Sequence, residues 1–78
     1  MRQDIREIEL KRIAPNLRSV FTSECIEEIA QDIRSRGQHE PIHIWFAYDS
    51  FRILDGEKRW RALKMLGMKT IRAVIAEP

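Results

Sequence analysis

Apolar positions along this chain change period several times, from two to roughly 3.6 residues, and each change marks an element. Ile8-Glu9-Leu10-Lys11 alternates and predicts a first strand. Ile13-Ala14-Pro15-Asn16 ends it, since proline lacks an amide hydrogen and asparagine favours turns. Ile26, Ile29, Ala30 and Ile33 then recur at helical spacing and form one apolar stripe. Thr22 or Ser23 can cap this helix, and Glu24, Glu27 and Glu28 suit the positive end of its dipole. Asp32 and Arg36 stand four apart, and Gly37 is a natural terminator. From Pro41 the period returns to two: Ile42, Ile44 and Phe46 face one way, His43 and Trp45 the other. A loop over 47–50 leads to a strand at 51–54, which Asp55-Gly56 interrupts. Trp60, Leu63 and Leu66 mark a second helix over 57–66 that stops at Gly67, and residues 70–75 close the pattern as a strand. The order is β-α-β-β-α-β and the fold class is α+β, one small domain over 1–78 without repeat or linker.

Length adds a restriction. A chain of 78 residues buries only about 60–65% of its unfolded surface, so the core is small. No apolar run is long enough to span a bilayer, and Met1 is followed by Arg2, Gln3 and Asp4 rather than an apolar leader. One cysteine, Cys25, cannot form an internal disulfide, and it reads as a packing residue; a cytoplasmic location is the expectation. Cys25, His39 and His43 are not paired at metal-ligand spacing, so no metal site is expected.

Charge changes the picture more. The net charge is +2, but residues 52–72 carry seven bases against Asp55 and Glu57, whereas residues 22–51 carry six acids against two bases. A concentrated positive field suits a phosphate or nucleic-acid partner; a solvated basic helix face is the plainer reading. The segment from Ile53 to Arg61 sharpens this choice, because a strand runs into Gly56 and a helix begins at once. The first amides of a helix lack intrahelical acceptors, and with the dipole they favour an anion. Gly56 permits close approach, Lys58 supplies a point charge and Arg59 a planar fork for phosphate oxygens. Equally consistent with the residues is a turn at Gly56, a cap from Asp55, and ordinary exposed cations. Trp60 belongs to the helix stripe and reads as core, while Trp45 reads as a partner or dimer contact. His43 reads as a surface or hydrogen-bonded core residue.

Over nearly its whole length, from Ile8 to Ile75, the chain resembles the N-terminal domain of ParB-type chromosome and plasmid partition proteins, a domain shared with sulfiredoxin and often labelled ParB-like nuclease. The likeness rests on the strand ending in Pro15-Asn16 with Arg18 after it, the helix ending at Gly37, and Glu40-Pro41-Ile42 in place of Gln-Pro-Ile. Its most specific part is Gly56-Glu57-Lys58-Arg59-Trp60-Arg61-Ala62, similar to the family's Gly-Glu-Arg-Arg-Trp-Arg-Ala. In ParB-type proteins that loop holds the triphosphate of CTP. The resemblance therefore implies a CTP-type nucleotide with magnesium, phosphate contacts from Gly56, Glu57, Lys58, Arg59 and Arg18, and pocket contacts from Glu40 and Asn16; His39, in the loop before Pro41, is a further candidate pocket contact by its position. It also implies DNA as a partner and a homodimer. Lys58 stands where the family has arginine, which keeps the charge and loses the fork. Glu40 in place of glutamine changes base recognition or adds repulsion near phosphates. Partition proteins continue into a magnesium-binding segment, a helix-turn-helix and a dimerisation region, whereas these residues end at Pro78 directly after the last strand. Sulfiredoxin has cysteine where this chain has Glu57, which disfavours a reductase. The leading expectation is a ligand-controlled nucleotide switch in DNA partition or nucleoid function. Weak triphosphate hydrolysis, a metal-dependent ParB-like nuclease and a non-catalytic DNA or protein interaction module are the alternatives.

Overall fold

The structure, a computed structural model, describes residues 4–15, 23–38 and 40–76. In chain order it contains β1 (Ile5–Glu9), a 3-10 turn (Leu10–Arg12), β2 (Ile13–Ala14), α1 (Ser23–Arg36), β3 (Ile42–Ala47), β4 (Ser50–Asp55), α2 (Glu57–Met65) and β5 (Thr70–Ala76). The five strands form one mixed sheet in the order β1-β5-β3-β4-β2. β1 pairs antiparallel with β5 and β3 antiparallel with β4, whereas β3 runs parallel to β5 and β2 parallel to β4. The class is α+β, as the periodicity indicates.

The opening differs from the sequence expectation. The strand runs over Ile5–Glu9 rather than over residues 8–11, because its pairing with β5 extends from Ile5↔Val74 to Glu9↔Thr70. The chain then turns at Leu10–Arg12, with the Leu10 amide donating to the Lys69 carbonyl at 2.9 Å. In a 3-10 turn, residues three apart lie on one side. Leu10 and Ile13 are thereby both buried, which a continued strand would not achieve. Ile13 and Ala14, expected to end a strand, instead form β2 beside Phe51 and Arg52.

Ile8, Leu10, Ile13, Ile42, Ile44, Phe51, Ile71 and Ala73 form the main core with Trp60 and Leu63 of α2. Trp60 is thus core, and its indole donates to the Leu10 carbonyl at 3.4 Å. A second cluster joins the helices through Ile26 and Ala30 of α1 and Ala62 of α2, and Ile33 packs against both clusters. The stripe read from the α1 sequence is the stripe that packs.

Phe46 departs from the expected pattern: it shares a strand face with Ile42 and Ile44 yet is 55% exposed. Phe46 packs instead edge-on to Phe51, with ring centroids 5.2 Å apart. Trp45 and Tyr48 are exposed as well. Among the described residues no helix is long and apolar enough to cross a membrane.

Candidate functional site

β4 delivers the chain to Gly56, and α2 starts at the next residue. Gly56 is the residue before the helix, at φ 104° and ψ 24°, and as the N-cap residue it offers no side-chain cap to α2. Asp55, read as a candidate cap, does not serve as one. The Gly56 carbonyl accepts the first helical bond from the Trp60 amide at 3.1 Å. An L-residue rarely adopts this φ, and a Cβ at Gly56 would lie 2.5 Å from Ile42 Cγ2. The close approach that requires glycine is therefore to the core side chain beneath it, whatever lies outside.

In front of this turn is a cleft of about 730 Å³. Glu28, Ile29 and Asp32 of α1 form one wall, Ile53, Leu54 and Asp55 of β4 another, and Gly56, Glu57, Lys58 and Arg59 the third. Four of the residues expected at a phosphate site thus share one wall because Gly56 leads directly into Glu57, Lys58 and Arg59 in the first turn of one helix. Arg59 is 31% exposed and donates from Nη2 to Glu40 Oε2 at 3.0 Å. Glu40 is itself well exposed and reaches Arg59 from the segment before β3. Gln38 anchors that segment: its amide nitrogen donates to the Arg72 and Glu40 carbonyls at 3.0 and 2.9 Å, and its oxygen accepts from the Arg72 amide at 2.9 Å. The side chain of Glu57 is buried, and its carboxylate accepts from Arg61 Nη2 at 3.0 Å and Nε at 3.3 Å. Lys58 is exposed on the cleft wall. Asn16, Arg18 and His39 lie outside the described residues.

Two acids were missing from the sequence reading of this site. Sequence position alone points Glu28 to the helix dipole and Asp32 to a pair with Arg36, and that pair is present at 3.6 Å. Their spacing of four on α1 also aims them together, but only the packing of α1 on α2 shows that they face this cleft. Among the described residues the lining holds four carboxylates against two cations. Arg61 engages Glu57 and Arg36 engages Asp32, which leaves Asp55 and Glu28 as the acids with no described ion pair. Among the described residues no group of three or more His, Cys, Asp or Glu is arranged to hold a metal ion. Cys25, half-buried on α1, does not line the cleft.

The family model of the ParB N-terminal domain matches residues 1–78, the full sequence. This chain belongs to the ParB N-terminal domain family. A nucleoid occlusion protein of Halalkalibacterium halodurans is 38% identical over 78 residues, covering 96% of this chain and 28% of that protein. The ParB-family chain described here thus spans a little over a quarter of that relative. Among solved structures, a C-terminally truncated chromosome-partitioning protein ParB from Caulobacter crescentus, complexed with CTP-gamma-S, superposes with a TM-score of 0.83 at 28% identity, over 96% of this chain and 45% of that one. Sulfiredoxin from Arabidopsis thaliana superposes with a TM-score of 0.84, also at 28% identity, over 96% of this chain and 86% of that one. The ParB and sulfiredoxin fold expected from the resemblance over Ile8 to Ile75 is the fold observed.

Proposed function

We propose that this chain is the nucleotide-binding domain of a chromosome-partition or nucleoid-occlusion protein, and that it holds the phosphates of a CTP-type triphosphate in the cleft at residues 56–59. The observation that carries the reading is the start of α2: a helix N-terminus opened by Gly56, with Lys58 and Arg59 on its first turn, lining a cleft large enough for a nucleotide. The amides of a helix N-terminus and the dipole favour an anion, and Arg59 offers two donors to phosphate oxygens. The ParB relative complexed with CTP-gamma-S supports the choice of nucleotide. In this reading Glu57 contributes its backbone amide, since its carboxylate is engaged by Arg61. Asp55 and Glu28 oppose a bare triphosphate, so magnesium carried on the phosphates would strengthen binding. Arg18, Asn16 and His39 complete the proposed pocket. DNA and a second copy of the chain are proposed partners of the whole protein, in which the domain acts as a ligand-controlled switch.

Isothermal titration with CTP, ATP, GTP and UTP, with and without magnesium, tests this. The expected result is saturable, magnesium-enhanced binding of CTP, weakened by about tenfold or more in Arg59→Ala through loss of a charge-assisted contact. A folded chain that binds none of the four overturns the reading.

A further inference from the structure

Toward the other end of α2 lies a second concavity of about 820 Å³ that shares no residue with the nucleotide cleft. Its floor is apolar: Leu10, Ile13 and Trp60 present buried surface from the 3-10 turn, β2 and α2. Among the described residues its rim is basic, with Lys11, Lys64 and Lys69 against Glu9. Lys64 is already placed, its Nζ 5.1 Å from the centre of the Trp60 ring. Lys11 is 80% exposed and only loosely held by Glu9 at 3.4 Å. Met68, half-exposed on the wall, is a soft and adaptable contact.

We propose that this groove docks an acidic segment of a partner protein, one that carries apolar side chains between its carboxylates. Charge complementarity selects an anion, and the hollow, apolar floor selects a peptide over a nucleic acid. A duplex presents a dense row of phosphates on a rod, which suits a flat or convex line of cations and would leave this floor unfilled. A peptide can seat one or two apolar side chains on Leu10, Ile13 and Trp60 while its carboxylates meet the lysines at the rim. Lysine suits that rim, because a compact charge on a long stem can follow a carboxylate without a fixed approach.

The test uses the 78-residue chain and a fluorescein-labelled peptide alternating glutamate with leucine and phenylalanine. Anisotropy measures affinity, and amide chemical shifts locate the contact. Saturable binding is expected, with shifts at Leu10, Ile13, Lys64, Met68 and Lys69. Affinity should fall with added salt and by about tenfold in a Lys11→Glu, Lys69→Glu double variant. Lys11→Glu alone should give a smaller loss, and Arg59→Ala should leave peptide binding unchanged. Absence of saturation overturns the proposal, as do shifts centred on residues 56–59. Equal binding of a peptide with serine in place of its apolar residues removes the role of the floor. Tighter binding of an arbitrary duplex at the same resonances replaces the peptide by nucleic acid.

Discussion

Arg59 is the residue on which the nucleotide reading turns, and it is held by Glu40 rather than left open to solvent. A phosphate that takes its guanidinium must displace that carboxylate. The pair is exposed on the Glu40 side, so it contributes at most about 1 kcal/mol. Glu40→Gln should therefore raise triphosphate affinity by about two- to fivefold in the same titration. Unchanged or weaker binding would show that Glu40 does not compete for Arg59. Gly56 is the other decisive residue, and its constraint is structural. Gly56→Ala places a Cβ against Ile42 at a positive φ, and should destabilise the chain by about 2–4 kcal/mol in urea unfolding. The same motif glycine thus answers to the core as well as to any ligand in front of it.

At the scale of elements, α2 begins and ends by different means. Its N-terminus is shaped by contact with Ile42, whereas its C-terminus is closed by local backbone bonds. The Met68 amide donates to the Leu63 carbonyl at 3.0 Å and the Gly67 amide to the Lys64 carbonyl at 3.1 Å, with Gly67 at φ 74°. A Cβ at Gly67 meets nothing within 4 Å. Gly67→Ala should accordingly cost only about 1–2 kcal/mol, from backbone conformation alone. A Gly67→Ala variant as unstable as Gly56→Ala would show that contact with Ile42 is not what separates the two sites. The packing stripe of helix α1 was legible because Ile26, Ile29, Ala30 and Ile33 need only one packing face, while the Thr22 or Ser23 cap lies outside the described residues and side chains. The opening strand was not, because Ile8-Glu9-Leu10-Lys11 alternates locally while its pairing with β5 reaches back to Ile5. Alternation reports which side a residue faces if the chain is extended; it does not report where the partner strand ends.

For the whole molecule, stability rests on a small core shared by every strand and α2. Ile42, Ile44 and Ile71 are the largest side chains fully removed from solvent, and they sit on the central strands β3 and β5. Ile44→Ala should cost about 2–5 kcal/mol by thermal or urea unfolding. That is a large share of the roughly 4–12 kcal/mol expected for a domain of this length. A loss below about 1 kcal/mol would mean that the core collapses around the missing side chain. By itself the sequence determined the two helices, the hairpin, the α+β class and the glycine turn from strand to helix at residues 55–57. Each depends on neighbours close along the chain, through period, turn chemistry and helix termination. Only the tertiary structure decided that Glu28 and Asp32 face that turn, that Glu40 holds Arg59, and that Leu10, Trp60 and three lysines enclose a second groove. Those residues come from separate elements, and charges and surfaces distant in sequence become neighbours only when the core brings their elements together.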